Sequence, residues 1–290
     1  KTALFNAGMM QAIKTRETME RDLRSAIEER RFEVHYQPKV NTGDWSLTGV
    51  EALVRMNHPE RGIVGPGEFI PIAEMTGLIR DIGHIVLEDA IAQCAEWARS
   101  GQATEVSVNV SPEQFNQPGF SDQVIELLRQ NECPPELLTI EITETLATTD
   151  VVEVAAHIAA LRAAGVRTAI DDFGTGYSNL MQLTGLKFDI LKVDRSFISQ
   201  IQNEGTAQEV SRAIIQLGRE LGCRIVAEGA ETPGQVAIAA KLGCDEIQGF
   251  YFSRPLSLSD FESWRNLRNS NPVPFATSGW GDFDIATTAA

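Results

Sequence analysis

Thr168-Ala-Ile-Asp-Asp-Phe-Gly-Thr-Gly-Tyr-Ser178 opens as a short apolar strand and ends in two adjacent carboxylates, Asp171 and Asp172, before a turn carrying Gly174 and Gly176. Neighbouring strand residues point to opposite faces. Both acids therefore reach one site only if the strand stops at Ile170 and the chain turns. Adjacent carboxylates repel unless a cation lies between them or one takes up a proton. A solvated turn uses the same residue types, so the surrounding chain decides between a turn and the rim of a metal site.

Outward from this stretch, strand and helix patterns alternate. Before it, the strand Leu137–Thr143 is followed by a helical pattern from Val151 to Ala164. After it come the strand Phe188–Val193, a helix from Ala207 to Leu221, the strand Arg224–Glu228, a helix from Pro233 to Leu242, the strand Glu246–Phe252 and a last helix from Leu258 to Leu267. Further back, helices at Glu68–Thr76 and Ile82–Arg99 precede the strand Glu105–Val110, and a helix at Ser121–Gln130 follows it. The first two strands, Phe32–Val40 and Ser46–Met56, are joined by the turn signal Asn41-Thr-Gly-Asp44. That link is too short for a crossover helix, so the two pair antiparallel. Eight strands separated mainly by helices predict an α/β fold, a (β/α)₈ barrel of TIM type modified by this hairpin. Thr15–Arg30 reads as an amphipathic helix, with Met19, Leu23, Ala26 and Ile27 at helical spacing.

The domain is expected to span residues 15–268, after a linker or the end of an upstream unit at 1–14. Residues 269–290 contain no basic residue and little apolar content, and are expected to form a disordered tail. The start at Lys1 suggests a piece of a longer protein. No secretory signal or membrane-length apolar run is present, so this segment is expected to be cytoplasmic. The net charge of −15 argues against binding a nucleic acid backbone. Cys94, Cys133, Cys223 and Cys244 form no Cys-x-x-Cys pair, and His35, His58, His84 and His157 show no ligand spacing. Any metal site must rely on oxygen, which favours Mg²⁺ or Mn²⁺ over Zn²⁺.

Chemistry collects at the strand ends, where barrels of this type carry function. Glu51 lies in the second strand and Asn109 ends the third. Glu141 and Glu144 end the fourth, Asp171 and Asp172 the fifth, Lys192 and Asp194 the sixth, Glu228 and Glu231 the seventh, and Gln248 sits in the eighth. Asp194 is equally suited to a plain salt bridge. So many carboxylates on one rim repel strongly unless divalent cations neutralise them. Two metals about 3.5–4 Å apart are a common device for hydrolysing phosphate esters. Beside such cations the Lys192 ammonium is expected to have a lowered pKa, suited to orienting or deprotonating water. Arg55 offers a planar fork for a phosphate.

Glu51-Ala-Leu53 resembles the signature of EAL-domain cyclic-di-GMP phosphodiesterases. Tyr36-Gln-Pro38, Phe69-Ile-Pro-Ile-Ala-Glu74, Ser107-Val-Asn-Val-Ser111, Glu141-Ile-Thr-Glu144, Asp171-Asp-Phe-Gly-Thr-Gly-Tyr-Ser178, Leu191-Lys-Val-Asp-Arg-Ser-Phe197, Ala227-Glu-Gly-Ala-Glu-Thr232 and Gln248-Gly-Phe-Tyr-Phe-Ser-Arg-Pro-Leu256 follow in that family's order. The resemblance implies a barrel whose first strand is antiparallel. It also implies hydrolysis of cyclic di-GMP to linear pGpG with two Mg²⁺ or Mn²⁺ ions. It makes Glu51, Asn109, Glu141 and Asp171 metal ligands, places Asp172 at the second metal and puts Glu228 near metal or water. Lys192 then holds or activates the water, and Gln248 completes the catalytic set. Gln37, Leu53, Arg55 and Pro255 become substrate contacts. Glu144 steadies the loop after Asp172, and Glu231 supports the rim.

The departures from the family pattern are Lys39 for an aliphatic residue, Asn179 for a serine and Ala230 for a valine; none removes a ligand. Two other readings remain: a catalytically silent cyclic-di-GMP receptor, whose mark would be lost ligands, and a metal-assisted enolate-forming barrel enzyme. The loop Phe173–Ser178 is expected to move, held to Glu144 through Thr175 or Ser178, and to couple a homodimer interface to the aspartates. The resemblance also suggests an upstream sensor or diguanylate cyclase domain.

Overall fold

The computed structural model describes residues 7–149, 151–174, 185–203 and 205–270. Nine strands form one sheet: β1 (Phe32–Asn41), β2 (Leu47–His58), β3 (Gly62–Val64), β4 (Glu105–Asn109), β5 (Leu138–Thr143), β6 (Arg167–Phe173), β7 (Ile190–Val193), β8 (Arg224–Ala227) and β9 (Glu246–Gln248). The order is β1-β9-β8-β7-β6-β5-β4-β2-β3, and β1 also pairs with β2. That pairing closes eight strands into a barrel and leaves β3 hanging on the end of β2. β1 is antiparallel to both neighbours, whereas β2, β4, β5, β6, β7, β8 and β9 run parallel. The expected TIM-like barrel with a reversed first strand is the observed fold.

The reversal follows from the short link between β1 and β2. Asn41 Oδ1 accepts the Gly43 N–H at 2.7 Å, so the chain turns within a few residues and returns alongside itself. Among the described residues, helices cover the crossovers from β4 to β5, β5 to β6, β7 to β8 and β8 to β9. The helix Ile79–Arg99 buries Ile82, Val86, Ala90, Ile91 and Cys94 along one side. The helix Pro233–Leu242 begins with a complete capping box, in which the Thr232 hydroxyl accepts the Gln235 N–H and the Gln235 side chain accepts back.

The pleat of the barrel strands separates core from chemistry. Ile170, Leu191 and Ile225 belong to the large outer core between sheet and helices. Ala169, Ile190 and Val226 form a small buried cluster of their own. Two residues beyond these last three, on the same face, come Asp171, Lys192 and Glu228. A thin apolar layer thus lies beneath these polar groups, and on its other side Arg167 and Arg224 pair with Glu105 and Glu246.

The sequence reading missed β3 and the short helices Pro112–Phe115, Glu144–Thr149 and Arg195–Ile198. The last begins with Asp194, whose carboxylate accepts the Ser196 N–H at 2.9 Å, so Asp194 serves as a helix cap. The first helix runs Ala7–Glu28, starting earlier than expected. β9 stops at Gln248 because Gly249 packs on backbone: an added Cβ there would lie 2.1 Å from the Ala230 oxygen. Residues 1–6 and 271–290 of the expected linker and tail lie outside the described residues.

Candidate active site

β6 does not stop at Ile170, as the sequence reading expects; it carries both aspartates through a bulge. Ile170 pairs with Leu191 and Phe173 with Val193, so Asp171 and Asp172 together stand opposite Lys192. Asp172 takes a left-handed backbone (φ 54°), which aspartate tolerates better than most residues. Its N–H donates to Asp171 Oδ1 at 2.9 Å. The bulge breaks the pleat and brings both carboxylates to one barrel end. There Asp171, Asp172 and Glu228 offer oxygens within 4.8 Å of one another.

Lys192 stands at the centre, 1% exposed. Its Nζ lies 2.5 Å from Glu141 Oε2, 2.6 Å from Glu228 Oε1, 3.1 Å from Asp171 Oδ1 and 3.7 Å from Glu51 Oε2. Four carboxylates, in or just beyond four different strands, thus converge on one ammonium. Glu51 is held on both oxygens: Asn109 Nδ2 donates to Oε1 at 2.5 Å, and Gln248 Nε2 to Oε2 at 2.5 Å. Gln248 Nε2 also reaches Gln37 Oε1 at 3.0 Å. Register prepares these contacts, since Gln37 stands opposite Glu51, and Asn109 beside Glu141.

Burial works against every charge here, and the carboxylates respond differently. Burial pushes Glu228 well above its ordinary pKa and also raises Glu141 and Asp171, with Lys192 opposing the shift and neighbouring carboxylates adding to it. Burial raises Asp172 too, and Asp194 beside it adds to the shift. Glu51 is likewise opposed by burial, but Lys192 and the Gln248 and Asn109 donors hold it below the usual range. Burial disfavours the Lys192 ammonium, yet Asp171, Glu141, Glu228 and Glu51 hold its pKa well above that of a free lysine. The lowered pKa expected from the sequence belonged to a cation-loaded rim; carboxylates alone act in the opposite direction.

The donor set fits a divalent cation. It consists of carboxylate and amide oxygens, the hard ligands of Mg²⁺ and Mn²⁺. Glu141 Oε1 is buried without a hydrogen bond, and so is Gln248 Oε1. Buried acceptors of this kind are rare without a partner, and here they lie beside surplus negative charge.

Above the cluster lies a cavity of about 220 Å³. Gln37 and Leu53 line it with Glu51, Asp171, Glu228 and Gln248. Arg55 and Pro255, also expected to contact substrate, are not on its wall. Arg55 is half-buried beside Glu33 across the hairpin, and its Nη1 donates to the Val54 oxygen at 2.9 Å. Pro255 precedes Leu256, whose backbone bonds Tyr36 in both directions at 2.7 and 3.0 Å. The sequence reading did not single out Phe250, which lines the cavity with the Arg254 guanidinium 4.4 Å from its ring centroid. It named Lys39 without giving it a role; Lys39 is buried and donates to Ser107 Oγ. The available signal was period two, because Lys39 shares a strand face with Gln37.

Glu144 opens the helix Glu144–Thr149, and its Oε2 accepts the Gly174 N–H at 2.7 Å. Thr175 and Ser178, the expected partners, lie outside the described residues. Gly174 has φ 98°, and an added Cβ there would meet Phe197 at 2.8 Å, so glycine is required beside the aspartates. Glu231 accepts from Arg195 Nη2 at 2.7 Å, an exposed pair on the cavity wall. Replacing Glu144 with Ala leaves the Gly174 N–H unpaired and loosens the bulge. The expected result is roughly a tenfold loss in Mn²⁺ affinity with an intact fold, the scale of removing a residue that orients a ligand. Calorimetric titration checks this, and unchanged affinity would count against the anchoring role.

The sequence profile of the EAL domain matches residues 20–255. The chain is 42% identical over 236 residues to the bifunctional diguanylate cyclase/cyclic di-GMP phosphodiesterase MucR of Pseudomonas aeruginosa, covering 81% of this chain and 34% of that protein. It is 37% identical over 257 residues to the cyclic di-GMP phosphodiesterase NbdA of the same organism, covering 88% and 33%. The chain thus spans about a third of the length of these curated relatives. Among solved structures, the MucR phosphodiesterase in complex with c-di-GMP superposes with TM-score 0.81 at 40% identity, covering 84% of this chain and 99% of that one. The Xanthomonas citri FimX EAL domain in complex with c-di-GMP superposes with TM-score 0.78 at 26% identity, covering 86% and 97%. Among the described residues no helix is long and apolar enough to cross a membrane. With the reversed first strand, the carboxylates gathered on Lys192 and the profile match over most of its length, the chain belongs to the EAL domain family.

Proposed function

We propose that this domain hydrolyses one phosphodiester bond of cyclic di-GMP, giving linear pGpG, with Mg²⁺ or Mn²⁺. The observation that carries this reading is the complete set of Glu51, Asn109, Glu141, Asp171, Asp172, Lys192, Glu228 and Gln248 at one barrel end beneath a cavity. Glu51, Asn109, Glu141 and Asp171 would hold one ion; Asp171, Asp172 and Glu228 would hold a second. When bound, such ions neutralise the phosphate and acidify water at neutral pH.

The protein's own groups supply positioning and proton handling. Lys192, anchored by Glu141 and Glu228, would keep the attacking water in place with the donor that otherwise faces Asp171 at 3.1 Å. Glu228, 2.6 Å from Lys192 Nζ, would stand beside that water and accept its proton. Gln248 and Asn109 fix both Glu51 oxygens, so Glu51 keeps a single orientation. Gln37 and Leu53 hold the nucleotide against the cavity wall. Arg55 and Pro255 support that wall from behind. Glu231 and Arg195 close its edge. A homodimer, with an upstream sensor or diguanylate cyclase unit in the full-length protein, completes the reading. Domain limits at residues 15 and 268 go with it.

The test is incubation with cyclic di-GMP in Mg²⁺, in Mn²⁺ and in chelator, with the nucleotides separated by chromatography. Appearance of pGpG only with a divalent cation supports the proposal. Tight binding without turnover would establish the receptor reading instead. The FimX EAL domain in complex with c-di-GMP shows that a protein of this fold can hold the nucleotide.

A further inference from the structure

The barrel interior holds a second buried ammonium that the scheme above leaves unused. Lys39 on β1 is 3% exposed and stands opposite Gln248 of β9. Its Nζ donates to Ser107 Oγ and lies 3.8 Å from Glu141 Oε1. That oxygen is the buried acceptor without a hydrogen bond. The other oxygen of the same carboxylate accepts from Lys192 at 2.5 Å. Glu141 is therefore bracketed by two ammonium groups, Lys192 from the barrel mouth and Lys39 from its interior.

An ammonium needs several hydrogen-bond acceptors, and Ser107 supplies one in a site closed to bulk solvent. The Glu141 charge is the nearest compensation for the remaining charge of Lys39. Buried charges are poorly screened, so Lys39 acts on anything placed against Glu141. A cation held by Glu141 meets a carboxylate already half neutralised, with a like charge behind it.

Building on the metal-dependent reading, we propose that Lys39 sets the affinity of the barrel mouth for divalent cations, acting through Glu141 as a fixed counter-charge that weakens their binding. It is a positioning residue and touches neither nucleotide nor water. In the cation-free protein the same charge stabilises the acidic cluster. Lys39 thus raises the free cation concentration at which the site fills and protects the empty site from its own repulsion.

The test uses the whole chain stripped with chelator and titrated calorimetrically with Mn²⁺ in the absence of nucleotide. Lys39→Met removes the charge. Lys39→Gln removes it while retaining a donor for Ser107, and remains informative if the Met variant does not fold without cation. Both variants are expected to bind Mn²⁺ at least about tenfold more tightly than the parent, the direction set by unscreened like-charge repulsion. Their stripped forms are expected to melt lower, with saturating Mn²⁺ restoring more of the melting temperature than in the parent. Parent-like or weaker Mn²⁺ binding in Lys39→Gln would overturn the proposal while leaving the metal-dependent reading intact. Absence of Mn²⁺ binding by the parent would overturn that reading, and this inference with it.

Discussion

Lys192→Met is expected to destabilise the cation-free protein by about 3–5 kcal/mol, the scale of removing one partner from a buried ion cluster. Methionine fills a similar volume, so the loss is electrostatic rather than a cavity effect. Glu141, Glu228, Asp171 and Glu51 all lie within 3.7 Å of Nζ. Without it, Lys39 is the cation left against this cluster among the described residues. Urea unfolding in chelator measures the deficit. Repeating it in saturating Mn²⁺ should narrow the gap, because bound cations restore the missing positive charge. Turnover should stay low even then, by roughly 10²–10⁴-fold, the usual contribution of a positioned proton-handling group. Parent-like stability in chelator would contradict the central electrostatic role given to Lys192, and parent-like turnover its role at the water.

Glu51→Ala is expected to reduce turnover at least about a thousandfold, comparable to losing a preorganised electrostatic contact to the transition state. Glu51 accepts from both Asn109 and Gln248, so its removal strands two donors and takes away one proposed ligand. The folded state should persist. Removing one carboxylate relieves repulsion around Lys192, which offsets the stranded donors, at a cost of about 1–3 kcal/mol each when buried. Circular dichroism and melting temperature would report an intact barrel while product formation is nearly absent. Ordinary turnover in this variant would remove Glu51 from the mechanism.

Much of this arrangement can be read from the residues, for identifiable reasons. Acids placed inside apolar runs conflict with burial, and the conflict is visible wherever it occurs, as at Glu141 within Leu-Thr-Ile-Glu-Ile or Lys192 within Ile-Leu-Lys-Val. The barrel follows from strict alternation of periods, and the reversed β1 from a link too short for a helix. The bulge at Asp171 and Asp172 was not legible. A strand that ends and a strand that bulges present the same Asp-Asp-Phe-Gly, and only pairing with β7 separates them. The walls of the cavity were harder still: Arg55 lies within β2 yet does not reach them, and Phe250 is placed by the chain after β9 ends. Arg55 turns to its own hairpin, while Phe250 enters through the tight passage of Gly249 over Ala230. The second buried ammonium was written in the sequence at Lys39, but its meaning depends on Glu141, whose unpaired oxygen no linear pattern reveals.

The most direct measurement of the central claim is the mass of the nucleotide product after incubation of cyclic di-GMP with this protein and Mn²⁺ in ¹⁸O-enriched water. Attack by a water held at Lys192 should yield pGpG carrying a single ¹⁸O in its terminal phosphate. Cyclic di-GMP recovered intact, or a linear product without the label, would contradict hydrolysis at this site.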